Sequence, residues 1–401
     1  MLIRKQYLNR IRPFAGRPVV KVLTGIRRCG KSVLLDQIRQ EVLSSGVPTE
    51  NTLSVNFESR AHAFVRSVDE TYAVVRQLVS NATGKVHLFL DEIQELPEWE
   101  KMINAFLIDF DVDIFITGSN ANLLSGELAT YLGGRYVTFR IHPFSFREVI
   151  ESRKENGESV DLQSAFLQYV ARGGMPFLYQ NETDEHTANQ YLSDIYDSII
   201  LKDIAQRHHI RDLDLMKRLI EYLIMNIGNP FSAISLIRYL KNQKRTLSSE
   251  TVYHYIDYCK GACLLQLVPR DDIVGKRILQ YQEKIYLTDH GIREAVFHRN
   301  EQDIQLVLEN IVYVELLRRD YEVSVGKMDT GEVDFIARRS SERLYVQVSY
   351  LLATKETIER EFSVLERIPD NYPKIVLSMD QVNHSRNGIL HRNIVDFLMD
   401  A

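Results

Sequence analysis

An eight-residue loop near the start of the chain limits, more than any other feature, what this chain can fold into. Residues 25–32 read Gly-Ile-Arg-Arg-Cys-Gly-Lys-Ser, which matches the pattern G-x-x-x-x-G-K-[ST]. The mainly apolar residues 19–24 before it predict a buried strand, and a helical pattern begins at Lys31. In this context glycines let backbone N–H groups converge on phosphates, and the helix adds partial positive charge at its first turn. We therefore expect a phosphate-binding loop.

The loop offers ligands for a nucleoside triphosphate and a divalent cation. Lys31 is expected to reach the β- and γ-phosphates, and the Ser32 hydroxyl is expected to bind Mg²⁺. We expect ATP and Mg²⁺ as cofactors, with nucleotide contacts from Gly25, Arg28, Gly30, Lys31, Ser32 and Val33. For Arg27 and Arg28 simple exposure to solvent is an equal alternative. A tight turn without a ligand would not need the Lys-Ser pair.

Two adjacent acids form the second element of the expected site. Residues 88–90 are apolar and are followed by Asp91 and Glu92, so both acids lie at the carboxyl end of a predicted strand. Open α/β sheets bind their ligands at that edge. We expect Asp91 to order the shell of Mg²⁺ and Glu92 to act as general base on the attacking water. The alternative is a helix-capping acid beside a solvated neighbour, which the phosphate loop disfavours.

Polar residues next to two further strands complete the expected site. Ser119 or Asn120 follows the apolar residues 114–116 and could contact the γ-phosphate or the water, although a strand-terminating turn is the alternative. Arg135 precedes the fifth predicted strand and could stabilise transition-state charge, within one chain or from a neighbouring subunit of a homo-oligomer. A solvated or structural role is an equal alternative for Arg135.

The first 150 residues alternate between strand and helix patterns, which predicts an α/β fold. Apolar runs separated by helices indicate a parallel sheet that is covered on both faces. The predicted strands span residues 19–24, 52–57, 86–90, 113–117 and 136–141. The predicted domains are a P-loop ATPase core (1–150), a helical lid (151–206), a winged helix-turn-helix (207–295) and a small α/β domain (296–401).

Residues 207–295 carry the pattern of a winged helix. Two helices are predicted over 213–227 and 231–241, and a third begins after Ser248, a good N-cap. Residues 262–268 and 277–287 are expected to form the two strands of the wing. The basic residues that could contact DNA phosphates are Lys241, Lys244, Arg245, Arg270, Lys276 and Arg277. Packing of this module against the rest of the chain, with its charges solvated, is an equal alternative to binding double-stranded DNA.

Composition places the chain among ordinary globular proteins. Its 401 residues have a net charge of −5, although residues 201–300 hold 16 Lys and Arg against 11 Asp and Glu. The three cysteines are too few for a disulfide framework, which fits a reducing compartment. No secretory signal pattern and no apolar run long enough for a membrane helix is present. We expect a cytoplasmic protein without a membrane partner.

Several motifs taken together resemble bacterial and archaeal AAA-type ATPases with an uncharacterised C-terminal domain. They are TGIRRCGKSVLL, FLDEIQELPEWE, ITGSNANLLSG, the Gly-Arg pair 134–135, HPFSFRE and GGMP. The resemblance covers nearly the whole chain. It implies a P-loop fold with an additional strand, Asp91 as the magnesium-coordinating acid and Glu92 as the catalytic acid. It also implies that Ser119 and Asn120 act as sensor and that residues 174–176, including Pro176, approach the nucleotide from the lid.

The last 100 residues resemble restriction-endonuclease-like domains. These domains place an acid on a helix, an Asp on a hairpin and Glu-x-Lys on the next strand. Glu309 or Glu315 would supply the helix acid and Asp334 the hairpin acid, but residues 347–349 read Gln-Val-Ser. The metal-binding Glu and the catalytic Lys are therefore missing from their positions, and Lys355 is the alternative source of a lysine. We expect a nuclease-derived domain without nuclease activity.

Three functions fit these expectations. The first is an ATP-driven switch that acts on DNA through the C-terminal half. The second is a signalling or assembly ATPase whose C-terminal half binds another protein. The third, which the missing residues disfavour, is an ATP-dependent nuclease.

Overall fold

The computed structural model describes residues 2–62, 64–121, 131–180, 183–242, 247–273, 278–297, 303–328 and 331–400. The chain divides into two compact units. The first comprises Met1–His142 together with Gly261–Cys263, and the second comprises Pro143–Lys260 together with Leu264–Ala401. Within the described residues, no helix combines the length and apolar character that a membrane span requires.

The first unit is built on a parallel sheet. Its strands are β1 (Val20–Thr24), β2 (Thr52–Asn56), β3 (Val86–Asp91), β4 (Val112–Gly118) and β5 (Tyr136–Arg140), in the spatial order β2-β3-β4-β1-β5. Its helices are α1 (Lys5–Ile11), α2 (Lys31–Ser44), α3 (Val68–Asn81) and α4 (Trp99–Asp109). Strand β4 lies between β1 and β3, so the sheet has the additional strand that the family resemblance implied.

Burial explains why these segments form strands. Every residue of β1, β3 and β4 is buried, which is typical of central strands of a parallel sheet covered on both faces. An apolar cluster on one face joins residues of β1, β3 and β4 to Trp99, Met102, Ile103 and Phe106 of α4. Helix α3 begins with a capping box, in which Ser67 and Glu70 satisfy each other's backbone N–H groups. The parallel register brings the carboxyl ends of all five strands to one edge.

The second unit begins with helices. They are α5 (Phe146–Glu155), α6 (Leu162–Arg172), α7 (Glu185–Ser198), α8 (Leu213–Met225), α9 (Ala233–Asn242) and α10 (Ser249–Gly261), and a π-helix (Ile199–Gln206) follows α7. Ser248 caps α10 as the sequence predicts, because its hydroxyl accepts the backbone N–H of Thr251 at 3.1 Å. Helices α8 to α10 confirm the three helices that were predicted for residues 213–260.

A seven-stranded mixed sheet follows these helices. Its strands are β6 (Leu265–Asp272), β7 (Ile278–Leu287), β8 (Glu322–Met328), β9 (Gly331–Arg339), β10 (Glu342–Val348), β11 (Lys374–Ser378) and β12 (Leu390–Asn393). Its helices are α11 (Gly291–Phe297), α12 (Ile304–Arg318), α13 (Lys355–Glu366) and α14 (Ile394–Met399). The spatial order is β12-β11-β10-β9-β8-β6-β7. The hairpin expected as the wing (β6–β7) therefore belongs to the same sheet as the strands of the predicted C-terminal domain.

Candidate nucleotide-binding site

The phosphate loop connects the carboxyl end of β1 to the start of α2. Gly25 has no room for a side chain, because a Cβ there would lie 2.2 Å from the carbonyl oxygen of Ile141. Gly30 has φ = 97°, a left-handed conformation that glycine adopts without strain, and it caps α2. Arg28 is also left-handed, with φ = 67°, and its side chain is exposed. The loop thus has the strand–loop–helix arrangement that suits a phosphate group.

Lys31 points back into its own loop. It is 3% exposed, and its Nζ donates to the carbonyl oxygens of Gly25 and Ile26 at 3.1 and 3.3 Å. The third bond goes to the hydroxyl of Ser119 at 3.0 Å. A buried ammonium group held at the centre of a phosphate loop supplies the charge that a γ-phosphate needs.

Asp91 accepts hydrogen bonds from three side chains on three different elements. The hydroxyls of Ser32 and Thr117 donate to its Oδ1, and the amide of Asn56 donates to its Oδ2 at 2.7 Å. Burial raises the pKa of Asp91, although the bonds from Thr117 and Ser32 act in the opposite direction. One hydroxyl beside one carboxylate is a donor set that suits Mg²⁺ when phosphate oxygens and waters complete it.

Glu92 has an unusual backbone conformation that directs its carboxylate toward Lys31. Its φ and ψ are 51° and 49°. The Ser119 hydroxyl lies 3.1 Å from both carboxylate oxygens, Gln94 donates to Oε2, and Lys31 Nζ lies 3.8 Å from Oε1. Ser119 therefore joins the general-base candidate to the phosphate-loop lysine.

The structure brings together five of the residues expected from sequence: Lys31, Ser32, Asp91, Glu92 and Ser119. Asn120 follows directly after Ser119 and is half-buried, and Val33 lies in the first turn of α2. Their contacts with a nucleotide stay predictions. Sequence reasoning missed Asn56 and Thr117. The signal that could have found Asn56 is a polar residue at the carboxyl end of a strand, as for Asp91.

Arg135 lies away from this cluster, which corrects the expectation that it acts within one chain. The backbone carbonyl of Arg135 accepts from Val20 N at 3.0 Å, at the amino end of β1. About 16 Å of strand separates that edge from the phosphate loop. Its guanidinium binds Asn104 Oδ1 at 2.6 Å. Arg27 lies 3.6 Å from Glu58 in an ion pair. A role of Arg135 in a neighbouring subunit stays a prediction.

The Gly-Gly-Met-Pro segment of the second unit is held by a buried acid. Asp289 accepts the backbone N–H groups of Gly174 at 2.8 Å and of Gly291 at 2.9 Å. Burial raises the pKa of Asp289. Pro176 begins a short 3₁₀ helix, Pro176–Tyr179, and is buried. Its contact with a nucleotide stays a prediction.

A group of buried polar residues occupies the sheet of the predicted nuclease-like domain. Asp334 accepts Val348 N at 2.8 Å, and the amide of Gln347 donates to Glu361 at 2.9 Å. Burial and the nearby charge of Glu309 raise the pKa of Asp334 well above its ordinary value. Glu315 instead binds Arg319 at 2.8 Å, which favours Glu309 as the helix acid. In the described parts of the chain, no set of three His, Cys, Asp or Glu side chains is arranged to hold a metal ion.

The basic residues proposed for DNA contact differ in their surroundings. Arg270 is buried and binds Glu332 at 2.6 Å, so the expectation that it contacts phosphates is wrong. Lys241 is exposed. The remaining four, Lys244, Arg245, Lys276 and Arg277, lie outside the described residues. The exposed face of α10 carries Glu250, Tyr253, His254, Asp257 and Lys260, which is not a basic surface.

The chain is similar to several known proteins. Residues 17–150 match the family described as an AAA domain, and residues 163–303 match a domain of unknown function, DUF8612. An uncharacterized protein of Haemophilus influenzae is 36% identical over 400 residues, which cover 100% of this chain and 99% of that protein. An uncharacterized protein of Methanocaldococcus jannaschii is 30% identical over 376 residues, which cover 91% of this chain and 80% of that protein.

A solved structure shares the fold. The Walker-type ATPase paby2304 of Pyrococcus abyssi superposes with a TM-score of 0.51 at 13% identity. The superposition covers 74% of this chain and 96% of that chain. At this identity the likeness concerns the fold.

Proposed function

Because the chain belongs to the same family as the Haemophilus influenzae and Methanocaldococcus jannaschii proteins and contains an AAA domain, we propose that it hydrolyses ATP with Mg²⁺. The observation that carries the proposal is the hydroxyl of Ser119, which binds both Lys31 and Glu92. A phosphate-binding cation and a general base are thereby held side by side. Asp91 is linked to Ser32 at the same edge of the sheet.

The proposed mechanism assigns one task to each group. Lys31 and the N–H groups of the loop bind the β- and γ-phosphates, and Glu92 takes a proton from the attacking water. Ser32 and Asp91 would hold Mg²⁺, which neutralises charge on the phosphates when it is bound. Ser119 turns the carboxylate of Glu92 toward the site. ATP turnover would then drive a conformational switch in the chain.

Two substitutions separate binding from hydrolysis. We expect Lys31→Ala to lose Mg·ATP binding in calorimetry, because the loop loses its only buried ammonium among the described residues of the site. We expect Glu92→Gln to bind Mg·ATP like wild type and to turn it over about 10²–10⁴ times more slowly. Lys85→Ala is the matched control, because Lys85 lies at the opposite edge of the same sheet and pairs with Asp111. Normal turnover by Glu92→Gln would refute the assignment of the base.

The partner of the switch is proposed to be a protein, with double-stranded DNA as the alternative. The exposed face of α10 has two acids against one lysine, and Arg270 forms an ion pair with Glu332. Both observations disfavour phosphate contacts. The DNA alternative rests on Lys244, Arg245, Lys276 and Arg277, and we propose no nuclease activity for the C-terminal sheet.

ATP turnover and DNA binding across a salt series test the choice of partner. We expect turnover to be unchanged by duplex DNA and no salt-sensitive binding. Stimulation by DNA that is lost when the four basic residues outside the described ranges are replaced by Ala would reverse the choice. Incubation of supercoiled plasmid with Mg²⁺ or Mn²⁺ tests the nuclease, and nicked product would establish it.

The remaining proposal for Arg135 is that it acts in the site of a neighbouring subunit, which requires that the chain self-associates. If Arg135 acts in a neighbouring subunit, Arg135→Ala lowers turnover only at protein concentrations where the chain is oligomeric by sedimentation. Equal turnover of wild type and variant across the concentration series would remove Arg135 from the mechanism.

A further inference from the structure

Thr117 lies between the two acids of the site and contacts both of them. Its side chain is fully buried at the carboxyl end of β4. The hydroxyl accepts the backbone N–H of Glu92 at 2.9 Å and donates its proton to Oδ1 of Asp91. One side chain therefore holds the main chain of the general-base candidate and the carboxylate of the magnesium-shell acid.

The chemistry of a hydroxyl group fixes the direction of both bonds. A threonine hydroxyl has a single proton, so a bond donated to Asp91 leaves only lone pairs for the N–H of Glu92. The same Glu92 residue adopts the left-handed conformation, which a residue with a side chain adopts rarely. Glu92 is buried, and the Thr117 hydroxyl is the acceptor that the described residues supply for its amide. Thr117 thus fixes the direction in which Glu92 leaves the strand.

We propose that Thr117 is a positioning residue that sets the geometry of Glu92 relative to Asp91, and this inference rests on the proposed ATPase function. Its hydroxyl binds neither Lys31 nor Ser32, so its effect reaches the phosphates through the two acids. The alternative is that Thr117 only fills space between the strands. In that case valine, which has nearly the same shape, would replace it without loss of activity.

Two substitutions distinguish these roles. Thr117→Val keeps the shape and removes the hydroxyl, whereas Thr117→Ser keeps the hydroxyl and removes a methyl group. We expect Thr117→Val to lower kcat about 10–100-fold through Glu92, the range found when residues that orient metal-site ligands are removed, and to raise KM by up to about tenfold through Asp91. We expect Thr117→Ser to stay within about threefold of wild type in both constants. Circular dichroism melting establishes that both variants are folded.

A double substitution tests whether Thr117 acts through Glu92. In the Glu92→Gln background we expect Thr117→Val to lower kcat by less than about threefold, because the base that it positions is already absent. A full 10–100-fold further loss in this background would show an independent role and overturn the inference. Equal losses in Thr117→Val and Thr117→Ser, or wild-type kcat in Thr117→Val, would also overturn it.

Measurement of ATP affinity distinguishes failure of the positioning role of Thr117 from failure of the proposed ATP hydrolysis. If wild type binds Mg·ATP but does not turn it over, the proposed hydrolysis falls. Thr117→Val is then expected to reduce the gain in ATP affinity that Mg²⁺ provides by about tenfold, because Asp91 loses a donor that orients it. The ATP affinity in EDTA should be unchanged. An unchanged gain from Mg²⁺ would refute the positioning role in that case.

Discussion

At the scale of residues, the hydroxyl groups organise the candidate site as much as the charged groups do. Ser32 and Thr117 both donate to Asp91, and Ser119 joins Lys31 to Glu92. Each hydroxyl can donate and accept at once, which lets it link a cation, an amide or another donor to a carboxylate. The charged groups would otherwise be buried with fewer partners, at a high cost in free energy.

Burial of Asp91 in this site costs free energy of folding, and replacement of Asp91 tests this cost. Burial raises its pKa, so the ionised carboxylate is less favourable in the folded state than in the unfolded chain. The free energy of unfolding of the metal-free protein should therefore fall as pH rises through the raised pKa. We expect Asp91→Asn to remove this fall, to add about 0.5–2 kcal/mol of stability at pH 8, and to abolish Mg-dependent turnover.

Urea unfolding in EDTA, from a pH below the ordinary aspartate pKa of about 3.9 up to pH 8, measures this effect. Wild type and Asp91→Asn should have similar stability at the acid end of the series and should diverge toward pH 8. Saturating Mg·ATP should stabilise wild type and not the variant. Parallel curves for the two proteins across the whole pH series would contradict the prediction.

The residues of the site differ in how far the sequence could identify them. Lys31, Ser32, Asp91 and Glu92 belong to spaced motifs in which charge follows an apolar strand. Thr117 was assigned only to a strand, because a threonine is common in strands and its bonds depend on the pairing of β4 with β3. The position of Arg135 disfavours a role within one chain, which was one of the alternatives that the sequence left open. The residue before a parallel strand lies at the edge opposite the ligand.

At the scale of elements, the edge of the first sheet opposite the phosphate loop contains a buried charge cluster. Lys21 of β1 and Asp113 of β4 form an ion pair that is fully buried. His87 and the backbone N–H of Gly16 also bind Asp113, at 3.0 and 2.8 Å. Within the described residues, Asp113 is the one acid that pairs with the ammonium of Lys21, whose other bonds go to backbone carbonyls such as that of Val19.

This asymmetry predicts unequal effects for the two partners. We expect Asp113→Ala to lower the free energy of unfolding by about 3–5 kcal/mol, because it leaves the buried amino group of Lys21 without its acid. Lys21→Met should cost less, because Asp113 keeps His87 and Gly16 as donors. Urea unfolding at pH 7 measures both. Lys85→Ala, which breaks an ion pair with the exposed Asp111, should cost less than about 1 kcal/mol. Equal losses from Asp113→Ala and Lys21→Met would refute the assignment.

The sequence predicted the elements better than their pairing. The five strands of the first sheet were predicted within about two residues, because each is an apolar run bounded by polar residues. The polar residues inside those runs, Lys21, His87 and Asp113, meet only through the registers of β1 and β3 with β4. Periodicity carries no information on register between distant segments. Strand β12 and helix α14 were missed because each is short.

At the scale of the whole molecule, the four domains predicted from sequence remain a prediction, and the structure divides the chain into two compact units. Strand β6 pairs with β7 in antiparallel orientation and with β8 in parallel orientation. A hairpin predicted as a separate wing therefore continues into the sheet that follows it. The parallel pairing of Arg270 with Val325 spans a long stretch of sequence, and local patterns do not reveal such a contact.

The reactivity of the three cysteines can measure the opening of each unit separately. Cys29 and Cys263 belong to the first unit and Cys259 to the second, and all three thiols are buried. Burial raises the pKa of Cys29 and Cys263, and it raises the pKa of Cys259 to about 12. The thiolate is the reactive form, so a neutral, buried thiol reacts only after the unit around it opens.

Thiol labelling therefore tests whether the unit that contains the phosphate loop opens independently. We expect iodoacetamide at pH 8 to label all three cysteines of the native protein far more slowly than those of the unfolded chain. Mg·ATP at about 100 times its Kd should slow labelling of Cys29 and Cys263 about 100-fold, because binding stabilises the unit that holds the nucleotide by about 2.7 kcal/mol. The rate at Cys259 should change much less, and peptide mass spectrometry measures each site. Lys31→Ala, which should not bind nucleotide, is the control. If Mg·ATP slowed labelling of all three cysteines equally, the two units would open as one cooperative structure, and this prediction would be wrong.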